Sequence, residues 1–322
     1  KSADGDVALS LTFGLVCALS NSRMSIIDAH VHLLPPERLA SLLRWVHRLI
    51  DGHPYAEDMS IDSLIDEYDR LGIEYVFNMV YPIHEGTTGE LNRFNYDLAR
   101  RYQPRILAVG SMHITDEHKL AIVDTCIQDY GFLGLKFHPF IQRFDPWDER
   151  LFPVYERMSE LRRPIFIHTG YESFYNLTMP IDTLEREILA RFPELPLVFM
   201  HALFPCLEEA FRLLEHYPHL YLDIANVYST IIHEPYRKMY GRPAMEFHGF
   251  FDHEIVRQTF YHGLNRWHHR ILFGSDHPSS FGALEAMIEE IRYMPISEEA
   301  KTNILCGTAT AFLEKYHSGW RR

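Results

Sequence analysis

Ile26-Ile27-Asp28-Ala29-His30-Val31-His32-Leu33 is a short, mostly apolar run that carries two histidines two residues apart. On an extended strand, side chains at i and i+2 point to one face, so His30 and His32 share a face, and by the same count so does Asp28. Two neutral imidazoles on one face are half of a metal site. Alone, a His-x-His pair is equally well two polar residues at a strand end. Its weight comes from the runs that follow.

Seven further apolar, β-type runs read as strands: Tyr75–Tyr81, Arg105–Met112, Leu133–His138, Pro164–His168, Leu197–His201, Leu220–Ala225 and Ile271–Asp276. Helical patterns lie between them. Ser60–Leu71 is amphipathic, with Ser60 placed to cap its start and Gly72 its end. Glu37–Ile50, Asp116–Tyr130, Glu149–Leu161, Asp182–Phe192, Leu207–Tyr217, Leu284–Tyr293 and the closing Ser297–Tyr316 read the same way. Eight β-then-α units over roughly 250 residues predict a closed α/β (β/α)8 barrel of parallel strands. A doubly wound open sheet competes, but no Gly-rich phosphate loop follows any strand. The connection Asn226–Arg270 is unusually long. It predicts an insertion between strands seven and eight, over the face where such barrels build their sites.

Composition narrows the function. The chain has 322 residues, 31 basic and 44 acidic, for a net charge of −13. That balance argues against nucleic acid or an anionic membrane as partner. A small-molecule substrate is expected, and a homodimer is compatible with the chain. Cys17, Cys126, Cys206 and Cys306 are widely spaced with no Cys-x-x-Cys pair, which reads as a reducing, cytoplasmic setting. Val7–Leu19 is about as long as a signal-peptide core and too short to span a bilayer. With Lys1 its only preceding basic residue, 1–23 is read as an N-terminal extension and 24–322 as one barrel domain.

Four strand ends carry chemistry: His30/His32, His168, His201 and Asp276. A polar group closing an otherwise apolar strand is where this fold places catalytic residues. Lys136 and His138 share parity on the fourth strand, so both can face the interior.

The motifs Asp28-Ala29-His30-Val31-His32, Gly134-Leu135-Lys136-Phe137-His138-Pro139, Ile167-His168-Thr169-Gly170, Met200-His201-Ala202 and Phe273-Gly274-Ser275-Asp276-His277-Pro278 resemble the amidohydrolase superfamily. The likeness is to its branch related to aminocarboxymuconate-semialdehyde decarboxylase and covers about residues 24 to 316. Ile304-Leu305-Cys306-Gly307-Thr308-Ala309 is similar to the family's closing helix, although Thr308 stands where Asn is usual. The resemblance implies one divalent metal, zinc expected first, held by His30, His32 and His168 with Asp276 as a ligand or base. His201 would act on the activated water without binding metal. Lys136 and His138, with Tyr171 and Asn226, would bind substrate. In binuclear relatives a carboxylated lysine at the position of Lys136 bridges two metals; here one metal and a free amine are expected. Two reactions fit: hydrolysis of an amide, ester or lactone of a small acidic or aromatic substrate, taken first, and non-oxidative decarboxylation of an aromatic or unsaturated acid. A catalytically silent binding barrel is the remote third reading.

Overall fold

The computed structural model describes residues 25–171, 175, 178–233, 238–239, 242–243, 253–317 and 320. Seven parallel strands are β1 (Ile26–Val31), β2 (Ile73–Met79), β3 (Ile106–Val109), β4 (Leu135–Phe137), β5 (Ile165–His168), β6 (Leu197–Met200) and β7 (Leu220–Asp223); the closing strand is Ile271–Leu272. They form two arcs, β1-β2-β3 and β4-β5-β6-β7-closing strand. A parallel bridge between Gly110 and Leu135 joins β3 to β4, and another between Val31 and His277 joins the last strand's exit to β1. The result is the (β/α)8 barrel that the alternation predicts.

Two apolar layers follow from the alternation of side chains. One parity (Val76, Ile106, Leu135, Ile165, Leu197, Leu220) packs outward against the helices. The other (Phe77, Leu107, Phe166, Val198, Tyr221, Leu272) fills the interior. The helix Thr308–Tyr316 plugs that interior, with Phe312 against Phe77, Phe166 and Tyr221 at ring distances of 6.4, 6.1 and 4.9 Å.

β1 departs from simple alternation. Its register against β2 slips between Asp28 and Val31. An irregularity of this kind reverses which face the following residues present. Ile27 and Ala29 pack in the interior layer while Val31 and Leu33 pack outside. Asp28 pairs with outward-facing Val76, so it does not lie beneath the histidines as strict parity predicts. Its carboxylate accepts from Ser275 Oγ at 2.5 Å and from the Ser275 and His30 amides. Burial nevertheless pushes its pKa up to about 7.

The helix Ile61–Leu71 has the ends read for it. Ser60 Oγ accepts from the Ser63 amide at 3.1 Å, and Gly72 takes the left-handed φ of 77° that favours glycine. Strands come out shorter than their apolar runs, because His138, His201 and Asp276 have left the ladder and belong to the turns above it. The long connection after β7 contains helix Val227–His233, a two-residue antiparallel pairing of Lys238–Met239 with Arg242–Pro243, and helix His253–Trp267. That last helix packs on Leu207–His216, so part of the connection is the barrel's own outer wall. Residues 234–237, 240–241 and 244–252, like the segment 1–24, lie outside the described residues. Among the described residues no helix is long and apolar enough to cross a membrane.

Candidate metal centre

At the C-terminal mouth of the barrel the tautomers of two imidazoles follow from their partners. His30 Nδ1 donates to Asp223 Oδ2 at 2.8 Å, and His32 Nδ1 donates to the Met79 carbonyl at 2.9 Å. Both Nε2 atoms are therefore lone-pair acceptors, and they face each other at 3.1 Å. Asp276 Oδ1 completes the group, 3.1 Å from His32 Nε2 and 3.5 Å from His30 Nε2. Three electron-rich atoms directed at one point repel unless a cation joins them. All three residues are buried or nearly so, so water screens that repulsion poorly. The donor set, two nitrogens and a carboxylate oxygen, fits a first-row divalent metal.

The surroundings hold these ligands in place. Asp276 sits at φ 63°, and its Oδ2 accepts from Asn226 Nδ2 at 2.8 Å while Ser279 Oγ donates to Oδ1 at 3.0 Å. Asn226 accepts in turn from the Phe281 amide, so both ends of its side chain are committed to positioning Asp276. Gly274 allows the close approach of the last turn, since a Cβ there would meet the His30 Cβ at 2.8 Å.

His201 belongs to a left-handed run of three residues, His201, Ala202 and Leu203, with φ of 60°, 46° and 55°. Each such residue costs on the order of 1–2 kcal/mol and persists where surrounding contacts impose it. The run aims the ring inward. Nδ1 donates to the Ala225 carbonyl at 2.8 Å, and Nε2 is buried with no hydrogen-bond partner. Burial lowers its pKa. In this tautomer His201 is a proton acceptor toward the cavity and cannot donate to an oxyanion from Nε2.

His168 stands apart from the three ligand atoms. Its Nε2 lies 3.0 Å from the Gly170 carbonyl, and its ring stacks on His138 at 3.8 Å. The groups that gather three ligand atoms within 4.8 Å are His30/His32/Asp276 and His30/His201/Asp223. The second of these already contains the His30–Asp223 hydrogen bond. Lys136 is fully buried with Nζ 2.5 Å from Met200 Sδ, and burial lowers its pKa to about 7 against the pull of Asp223 and Asp276. His138 Nε2 lies 3.4 Å from the Tyr175 hydroxyl, and the Tyr171 hydroxyl pairs with Thr230 Oγ1 at 2.8 Å.

Asp223 is the residue missed in the sequence. It closes Leu220-Tyr221-Leu222-Asp223, the same apolar-then-polar pattern as the other strand ends. Reading that strand on to Ala225 hid it. Besides fixing the His30 tautomer, it accepts from the His201 and Ala225 amides at 2.9 and 3.0 Å. Asp223→Asn should weaken metal binding by about 10- to 100-fold, because the amide no longer holds His30 with Nε2 free. Competition against a fluorescent chelator measures this; unchanged affinity would remove Asp223 from that role.

Around the centre lies a cavity of about 380 Å³. Tyr81, His138, His168, Tyr171, Tyr175 and Phe281 give it aromatic walls.

The family model described as amidohydrolase matches residues 27–315. The chain belongs to the amidohydrolase family. No curated protein matches it. Solved structures share the fold. An uncharacterised TIM-barrel protein from Bordetella bronchiseptica is 22% identical, with a TM-score of 0.65 over 91% of this chain and 99% of that one. The 5-carboxyvanillate decarboxylase of Sphingomonas paucimobilis is 11% identical, with a TM-score of 0.63 over 91% and 99%. A dihydroxybenzoic acid decarboxylase from Polaromonas sp. JS666, solved with manganese and 2-nitroresorcinol, is 15% identical, with a TM-score of 0.62 over 90% and 97%. The chain is an enzyme of the amidohydrolase superfamily.

Proposed function

We propose that this enzyme is a metal-dependent, non-oxidative decarboxylase of a small aromatic or conjugated carboxylic acid. The observation that carries this reading is the aromatic-walled cavity of about 380 Å³ that opens onto His32 and Asp276, two of the three converging groups. A planar acid fits such a slot with its carboxylate toward the ligands. Decarboxylases among the structural neighbours support it over the hydrolysis expected first from the sequence.

One divalent ion held by His30, His32 and Asp276, with His168 brought in by turning its ring, would anchor and polarise the substrate's oxygens. Manganese, present in the dihydroxybenzoate enzyme, stands beside zinc as a candidate, because the mixed nitrogen and oxygen donors suit both. Lys136 remains a free amine, and the site holds a single metal.

The remaining work falls to side chains. Asp276 takes a proton from a substrate hydroxyl or from solvent and delivers it to the ring carbon that bears the carboxylate. The C–C bond to the carboxylate then breaks, CO2 leaves, and the bonding electron pair restores the ring. His201 Nε2 accepts from a substrate O–H and orients the ring. Tyr171, Tyr175 and Phe281 exclude water, and His138 meets the substrate's polar edge; Lys136, fully buried and outside the cavity lining, does not reach it.

The test is turnover of a panel of hydroxybenzoates in D2O by the manganese- and zinc-loaded protein. CO2 release with one deuterium on the carbon that lost it is expected. Release of amines or alcohols from amide, ester or lactone panels, with no CO2 from any acid, would show the hydrolytic reaction instead.

A further inference from the structure

The cavity wall away from the imidazoles is built by one helix. Pro36–Leu49 buries Leu39, Leu43, Val46 and Leu49. The adjoining stripe of Arg38, Ser41 or Leu42, Trp45 and Arg48 lines the cavity at spacings of three or four residues. This places two guanidinium groups and one indole along a single wall.

Several arginines elsewhere in this acidic chain sit on carboxylates. Arg70, Arg93, Arg101, Arg150, Arg157 and Arg212 each have one at 2.6–3.0 Å. Arg38 and Arg48 form no ion pair with any described residue. Arg38 is half-buried, and burial lowers its pKa against the pull of Glu90. A guanidinium kept charged at the rim of a cavity, without a fixed counter-ion, is costly unless an anion arrives. Tyr81, which lines the cavity with Arg38, has its ring against His32 and His138 at 5.6 and 5.0 Å. Arg38 therefore opens onto the same chamber as the imidazoles.

We propose that Arg38, supported by Arg48, is a specificity-determining residue that takes a second anionic group on the substrate, remote from the reacting carboxylate, with Trp45 along the planar body. This rests on the decarboxylase reading for the reacting end but is tested without turnover. The guanidinium fork matches a carboxylate or a phosphate bidentately.

Calorimetry on the metal-loaded protein with benzoate, isophthalate and 3-phosphonobenzoate separates the terms. At least one of the two-anion probes should bind the wild type more than tenfold tighter than benzoate, and the tighter of the two identifies the source of the anion. Arg38→Met should cut that preference to under threefold, and Arg38→Lys should restore part of it. Equal affinities in the wild type would overturn the proposal. So would a loss of benzoate binding in Arg38→Met as large as the loss of the two-anion probe, with Arg38→Gln as the check on folding. If the preference stands while no acid loses CO2, the decarboxylase reading falls alone; if acids turn over with no preference, the role of Arg38 falls alone.

Discussion

Asp276→Asn should lower kcat by about a thousandfold or more while the barrel stays folded. Geometry makes the change severe. One carboxylate oxygen faces the His30 and His32 lone pairs, and the other accepts from Asn226 Nδ2. The asparagine amide must put its NH2 on one side or the other. Toward Asn226 it sets donor against donor. Toward the imidazoles it donates into the space that the cation needs. Either way the proton-carrying group is gone. Metal content by mass spectrometry and kcat at saturating metal separate loss of the ligand from loss of the acid. Turnover within threefold of wild type would exclude Asp276 from the chemistry.

Lys136→Met should make the metal-free protein more stable. The Lys136 amine is fully buried beside a thioether, with its pKa lowered from 10.5 to about 7. The folded state therefore binds the proton more weakly than the unfolded chain does. The penalty is complete below about pH 7 and fades as pH rises toward 10.5. At pH 7 it amounts to about 4 kcal/mol. Methionine has similar length, packs on Met200 and carries no charge. Melting with chelator present should give a Tm higher by about 10 °C at pH 7, with the gain shrinking at pH 10. A lower Tm at pH 7 would show that the amine is paid for by contacts that stabilise it.

The barrel was legible because eight apolar runs separated by amphipathic stretches leave few alternatives, and the polar groups at its mouth because each closes an apolar run. What escaped has local causes. The slip in β1 costs no special residue, so parity counting put Asp28 on the wrong face. Asp223 was concealed by a strand end set two residues late. Asn226 reads as a substrate contact from its position, but its hydrogen bonds go to Asp276 and Phe281. The Pro36–Leu49 helix has an ordinary amphipathic pattern. Only its placement over the mouth shows that Arg38 and Trp45 face a cavity. The ring orientation of His168 depends on the Gly170 carbonyl and the His138 stack, which no sequence spacing encodes.

The seam between the two ends of the barrel is thin. The closing strand has two residues, and beyond it β1 is joined by isolated bonds: the Ala29 amide to the Phe273 carbonyl, the Asp276 amide to the His30 carbonyl and the His32 amide to the His277 carbonyl. His30 and His32 stand on one side of that seam and Asp276 on the other, about 250 residues along the chain. An ion held by all three would act as a clasp, pinning the start of the fold to its end like a cross-link over a very long loop. Occupancy and folding are then one equilibrium. Each tenfold rise in free metal above the dissociation constant deepens the native state by about 1.4 kcal/mol. A protein built this way would then be folded, as well as active, in proportion to the supply of that ion.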